Sequence, residues 1–204
     1  MRPVAPHAPA AARAGRRALL AAVLAAAATA ACAPLAPREA APAAQRRAVA
    51  AFELEGRMSA SDGSRAASGR VEWQHGPASD TWTVYTPLGQ VAARLESDAA
   101  GARLTDAGGQ RIDAPRADVL LPQVLGVEVP VARLGDWVQA TPAAGAEVRS
   151  RDAFGRPTQV FDQGWRIDYL DYAAPDPGAM PARLDISRGD ARLRLIVDTW
   201  TPRP

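Results

Sequence analysis

Few side chains in this 204-residue sequence are of a type that makes or breaks bonds. There is one cysteine, Cys32, and there are two histidines, His7 and His75. A single thiol can form neither an intramolecular disulfide nor a multi-cysteine metal site. Taken alone, the bland reading of Cys32 is an incidental thiol. His75 stands beside Gly76-Pro77, which reads as a hairpin tip. A tip is poorly placed to desolvate an imidazole against a nucleophile and a carboxylate, so an exposed turn histidine is expected. The sequence has no P-loop, no G-x-G-x-x-G, no H-E-x-x-H and no G-x-S-x-G. Carboxylates are plentiful, but no pair stands out at an apolar location, as a two-carboxylate hydrolase would require. These residues point away from an enzyme, and they imply no cofactor and no metal.

What the chain offers instead is apolar surface. Five tryptophans accompany three phenylalanines and three tyrosines. Trp73, Trp82, Trp137 and Trp165 all fall on apolar faces, and each alone reads as core packing. Taken together on a curved sheet facing helices, they can line a cavity for apolar ligands such as acyl chains. The strand faces would contribute Trp73, Trp82, Val84 and Leu95, then Trp165, Ile167, Tyr169, Leu184 and Leu195. Leu120, Leu134 and Trp137 would come from the helices. A second candidate is the turn Pro87-Leu88-Gly89, preceded by Thr86. Proline fixes φ at such a turn and glycine permits a positive one. Leucine is unusual there. It either folds back onto the core or projects and enters a bilayer surface, and the residues alone leave both readings open.

These groups must be positioned mainly by strands. Phe52, Leu54, Gly56 and Met58 alternate with Glu53, Glu55, Arg57 and Ser59, a two-residue period. The same alternation runs through Val71 and Trp73, Trp82 and Val84, and Val91, Ala93 and Leu95. It returns at Trp165, Ile167 and Tyr169, at Leu184 and Ile186, and at Leu193, Leu195 and Val197. Short turns separate the runs: 61–64, 75–77, 107–109 and 188–190. Residues 116–140 break the pattern with helical spacing, Val119, Leu120, Gln123 and Val124, then Val131, Leu134, Trp137 and Val138. Gly126 suits the end of one helix and Pro130 the first turn of the next. The fold class expected is mainly β (α+β), an incomplete antiparallel β-barrel or half-barrel. Helices at about 116–126 and 130–140 would form a lid over a hydrophobic cavity.

Charge divides the chain. All 24 basic residues are arginine, against 22 acidic ones, a net of +2. Residues 1–31 hold Arg2, Arg13, Arg16 and Arg17 and no acid; without them the net is −2. The basic balance therefore belongs to a leader and does not indicate a nucleic-acid partner; a basic protein surface would be the better electrostatic match. The leader has a positive start and an apolar run of roughly 14 residues, short of the ~20 a spanning helix needs, as in a cleaved signal. It ends at Thr29-Ala30-Ala31-Cys32, which resembles a bacterial lipobox with Thr29 where leucine is usual. Three acyl chains on Cys32, at ~0.8 kcal/mol per buried methylene, make a stable anchor. Ala33 rather than Asp follows the cysteine, which by resemblance to bacterial lipoproteins points to the outer membrane. The expected organisation is a signal peptide at 1–31, an Ala/Pro-rich tether at 32–48 and one domain at 49–204.

Several pieces, in order and spacing, resemble the LolB family. They are Phe52-Glu53-Leu54-Glu55-Gly56-Arg57, Gly69-Arg70-Val71-Glu72-Trp73, Thr86-Pro87-Leu88-Gly89 and Leu125-Gly126-Val127-Glu128-Val129-Pro130-Val131. Leu134-Gly135-Asp136-Trp137, Gln163-Gly164-Trp165-Arg166-Ile167-Asp168-Tyr169, Met180-Pro181-Ala182-Arg183-Leu184 and Leu193-Arg194-Leu195-Ile196-Val197-Asp198-Thr199-Trp200 complete the set. The resemblance implies a half-barrel whose hydrophobic interior takes acyl chains. It implies an outer-membrane lipoprotein that accepts other lipoproteins from the periplasmic carrier LolA and inserts them in the inner leaflet, without a nucleotide. It also implies a lipidated Cys32, a protruding turn whose Leu88 serves membrane delivery, outer-membrane lipid and lipoprotein cargo as partners, and a monomer. Two other readings compete. One is a lipocalin-like lipoprotein binding a small apolar ligand. The other is a structural outer-membrane accessory lipoprotein, which a filled core without a pocket of several hundred Å3 would favour.

Overall fold

The computed structural model describes residues 42–203; the leader, Cys32 and most of the tether lie outside them. Eleven strands form one sheet: β1 (Phe52–Ser61), β2 (Ala66–His75), β3 (Asp80–Tyr85), β4 (Val91–Asp98), β5 (Gly101–Asp106), β6 (Arg111–Ala114), β7 (Glu147–Arg151), β8 (Pro157–Asp162), β9 (Trp165–Tyr172), β10 (Pro181–Arg188) and β11 (Ala191–Pro202). The spatial order is β6-β5-β4-β3-β2-β1-β11-β10-β9-β8-β7, and every neighbouring pair is antiparallel. The first and last strands thus pair in the middle of the sheet, and the edges are β6 and β7. Those edges do not pair with each other, so the sheet is an open half-barrel and not a closed barrel. The chain passes from one edge to the other through two helices, α1 (Ala117–Leu125) and α2 (Val131–Val138).

Alternation explains the sheet's apolar face. In β1, Phe52, Leu54, Gly56, Met58 and Ala60 are buried while their neighbours are more exposed. In β9, Trp165, Ile167 and Tyr169 do the same. Gly56 is needed for pairing itself, because a Cβ there would collide with the Ile196 carbonyl where the β1–β11 register shifts. The pattern weakens in β4, where Leu95 is buried but Val91, next to the Leu88 turn, is exposed. Strands β5, β6, β7 and β8 were not visible as alternation. Their apolar positions are too few: β6 is four residues, Arg111-Ile112-Asp113-Ala114, with none fully buried.

Both helices stand where the spacing places them, in shorter form. α1 turns Leu120, Leu121 and Leu125 inward, while Val119, expected on its apolar face, is exposed. Gly126 closes it in the left-handed region, donating its N–H to the Pro122 carbonyl at 2.8 Å. α2 buries Leu134, Trp137 and Val138, and Pro130 precedes its first turn.

The meander gives the sheet two distinct ends. The registers place the turns at 62–65, 86–90, 107–110 and 188–190 at one end. The connections at 76–79, 152–156 and 173–180 lie at the other, as does the incoming chain, where the Ala44 N–H bonds the Gly155 carbonyl at 2.9 Å.

An apolar interior with a polar-fastened helix, and an exposed leucine turn

The interior is packed. The void between sheet and helices measures about 30 Å3 and is bordered by Leu54, Met58, Val71, Trp73, Trp82, Ile186, Leu193 and Leu195 from the strands, and by Leu125, Leu134 and Val138 from the helices. Its walls present no polar surface. Such a space admits about one water, where a small-molecule site is typically some 300–1,000 Å3. Of the twelve cavity residues anticipated, Trp73, Trp82, Leu134 and Leu195 border the void. Val84, Leu95, Leu120, Trp137, Trp165, Ile167, Tyr169 and Leu184 belong to the same buried cluster but lie away from it. Leu54, Met58, Val71, Ile186 and Leu193 had been placed on the apolar faces without being assigned to the site; alternation identifies a face, not which strands curl toward each other. A larger depression of about 650 Å3 lies on the sheet beside Ser59, Ser68, Arg166 and Arg194. Its lining is mixed, with Ala60, Ala67, Ile186 and Leu193 beside the serines, and Arg166 and Arg194 are paired with Asp168 and Asp185.

Asp162, which the sequence did not single out, organises α2. It is 4% exposed, accepts from Arg133 Nε and Nη2 at 2.9 and 2.8 Å, and accepts from the Trp137 indole N–H at 2.8 Å. Burial alone would raise its carboxyl, but the hydrogen bonds from Arg133 and Trp137 outweigh that and hold it below the ordinary value. The Tyr169 hydroxyl donates to the Trp137 carbonyl at 2.8 Å, and burial raises its pKa. Trp137 and Tyr169 are therefore part of a polar fastening as well as apolar wall. Asp162 ends β8 just before Gln163-Gly164, a position that reads as an ordinary turn acid.

The end of the tether segment takes part too. Arg46 donates to the carbonyls of Gln139 and Ala140 at 2.9 and 3.1 Å, and to those of Pro177 and Ala179 at 2.9 and 2.8 Å. Gln139, also buried, accepts the Val49 N–H at 2.7 Å. Gly155 allows this docking: its φ is +75° and a Cβ would strike the Pro42 carbonyl.

His75 is not an exposed turn residue. Its ring lies against Phe52 with 4.8 Å between centroids, and Nδ1 is 2.7 Å from Asp80 Oδ1, which also accepts the Trp73 indole N–H at 2.7 Å. It caps the end of an aromatic stack and has no nucleophile beside it. The indole N–H groups of Trp82 and Trp165 are buried with no hydrogen-bond partner.

Leu88 does not fold back. It is 89% exposed at the tip of a turn closed by Gly89 N–H to Thr86 O at 2.9 Å and Thr86 N–H to Gln90 O at 2.8 Å. Pro87 precedes it, and Gly89 takes φ +80°, which lets the turn close with the leucine at its tip. Among the described residues no helix is long and apolar enough to cross a membrane, and no group of three metal-ligating side chains forms.

A family model described as "Outer membrane lipoprotein LolB" matches residues 50–200. The outer-membrane lipoprotein LolB of Azoarcus sp. (strain BH72) is 57% identical over 155 residues, 76% of this chain and 80% of that one. That of Thiobacillus denitrificans is 38% identical over 156 residues, 76% of this chain and 82% of the other. A solved LolA-superfamily protein from Nitrosomonas europaea overlaps at a TM-score of 0.48 and 10% identity, over 78% of this chain and 89% of that one, a likeness too loose to argue from. With a match spanning the whole sheet and both helices, the chain belongs to the LolB family of outer-membrane lipoproteins.

Proposed function

We propose that this protein is an outer-membrane receptor that takes lipoproteins from a LolA-type periplasmic carrier and inserts them in the inner leaflet of the outer membrane. Cys32 carries the acyl anchor, and the Ala/Pro-rich segment 32–48 tethers the domain to it. The cargo's acyl chains enter the apolar interior, and Leu88 enters the bilayer when they leave. The observation that carries this reading is the pairing of an apolar interior under two helices with a leucine held 89% exposed on a turn of the same sheet. No other function accounts as simply for a leucine exposed at the tip of its turn.

Transfer is driven by apolar surface. Each methylene moved from water into the interior gains ~0.8 kcal/mol, and the bilayer buries more of the chain than any protein pocket of this size. Carrier, receptor and membrane then form a downhill series that needs no nucleotide. The interior has to expand, because about 30 Å3 does not hold an acyl chain.

The same packed interior favours a second reading, a structural accessory lipoprotein with a filled core. Incubating the full chain in liposomes with carrier loaded with a labelled triacylated lipoprotein separates the two. The receptor takes the label off the carrier and passes it to lipid. The accessory protein leaves it on the carrier.

A further inference from the structure

The two helices are held to the rest of the molecule by different chemistry. α2 is fixed by polar bonds: Arg133 and Trp137 to Asp162, Tyr169 to the Trp137 carbonyl, and Arg46 to the carbonyls just past its end. α1 has no such bond to the sheet among the described residues. It packs on β4, β5 and β6, and at its far end on β1, through Ala117, Leu120, Leu121 and Leu125. Its one side-chain hydrogen bond, from the Val131 N–H to Asp118 Oδ1 at 2.9 Å, goes to α2.

The first turn and the middle of α1 are also weakly made. No side chain caps its first turn, and Pro122 removes a helical hydrogen bond from its middle. It hangs from β6, a four-residue edge strand, and ends at Gly126 in the left-handed region. The void lies at the seam between the helices, bordered by Leu125 on one side and Leu134 and Val138 on the other.

We infer that an incoming acyl chain takes the place of α1, which swings away about Gly126 and β6 while α2 stays as the fixed wall of the site. This rests on the acyl-binding function proposed above and says where the chain lies: along the buried face of β4 and β5, formed by Leu95, Ala102 and Leu104. The reason is chemical substitution. A hydrocarbon can cover the same sheet face that Leu120, Leu121 and Leu125 cover now, so the sheet stays dry and the cost of opening is confined to the apolar side of α1. It has no donor or acceptor to give Asp162, Arg133 or Tyr169 if α2 were the helix to leave. Ligand and α1 are therefore competitors for one footprint, and that footprint begins on β4, the strand that follows the Leu88 turn.

The test is amide hydrogen exchange on the full chain in phosphatidylethanolamine liposomes, with and without a synthetic triacylated cysteinyl peptide as probe; tryptophan fluorescence reports probe binding separately. Amides of 117–125 should exchange faster than those of 131–138 before the probe is added. Once it binds, they should exchange about tenfold faster again or more, the size expected when a minor open state becomes dominant, with 131–138 unchanged. In parallel, Leu121→Ala weakens α1 as a competitor and should tighten probe binding by about fivefold or more, whereas Leu134→Ala on the fixed wall should not tighten it. Binding accompanied by opening of α2, by joint opening of both helices or by added protection of α1 overturns this inference and leaves the receptor reading standing. A fluorescence titration showing no binding overturns both.

Discussion

Leu88 and Asp162 stand at opposite extremes of exposure. Leu88 touches little of the protein, so its removal should leave the fold alone; exposed substitutions of this kind fall within about ±0.5 kcal/mol. Leu88→Glu is expected to keep its melting temperature and its capture of acylated cargo from the carrier, and to fail at release into liposomes, because a carboxylate at the tip resists entry into lipid. Asp162 is the converse, buried and bonded on every side. Asp162→Ala leaves Arg133 and the Trp137 indole without their acceptor and should lower stability by about 3 kcal/mol in a denaturant titration. Its pH dependence has a definite sign. The folded carboxyl lies below the ordinary value of 3.8, so its stabilisation is complete above that value and is lost as pH falls through the lowered folded one. Acid titration of stability should therefore be flatter over that window in Asp162→Ala than in the parent. An equally steep fall in both would show that Asp162 does not fasten α2. Leu88 stands out in the sequence because leucine is out of place at a Pro-x-Gly turn, but whether it folds back or projects is decided only by the fold, which leaves it exposed. Asp162 does not stand out, because an acid before Gln163-Gly164 is what a turn ordinarily has, and only the fold brings Arg133 and Trp137 onto it.

At the level of elements, the strands that were readable are those with one dry and one wet face, such as β1 and β9. Strands β5 to β8 were hidden because edge and near-edge strands bury few side chains and so carry few alternating apolar positions. Both helices were legible from 3.6-residue spacing, but the spacing could not tell a helix held by apolar contact from one held by buried hydrogen bonds. That difference sets their energetics. Lifting α1 into water would expose three leucines at about 1.5–3 kcal/mol each, a loss that burial of the acyl methylenes at ~0.8 kcal/mol each can offset. Replacing Leu121 by Asn should therefore weaken α1 without disturbing the Asp162 bonds. Exchange of amides at 117–125 should rise while the near-UV signal of Trp137 is retained; loss of both together would mean that the helices move as one unit. The borders of the void were not legible either, since Leu54 and Ile186 meet there only because β1, β11 and β10 are neighbours in the sheet.

The whole molecule has a direction. The tether joins it at the end bearing the 152–156 connection, and Leu88 projects from the opposite end. A ten-residue strand such as β1 spans roughly 33 Å, so the two features are about that far apart. Between Cys32 and Ala44 the chain reaches at most about 40 Å when extended. If Cys32 is anchored in the membrane that Leu88 enters, the segment between Cys32 and Ala44 has to be long enough for both to reach one bilayer. Deleting about six residues between 33 and 41 removes some 20 Å of reach and should abolish delivery while leaving cargo capture intact. Restoring the length with glycine and serine should restore delivery. Full delivery by the shortened chain would mean that Leu88 does not share a bilayer with the anchor.

In the proposed route acyl chains pass through this protein into lipid with Leu88 at the exit. This route is tested most directly by loading a LolA-type carrier with a labelled triacylated lipoprotein, adding the full chain in liposomes without nucleotide, and following the label. The parent chain should take the label from the carrier and deliver it to lipid, and Leu88→Glu should accumulate it on the protein. Label that never leaves the carrier, or that reaches lipid equally well through Leu88→Glu, would contradict the account.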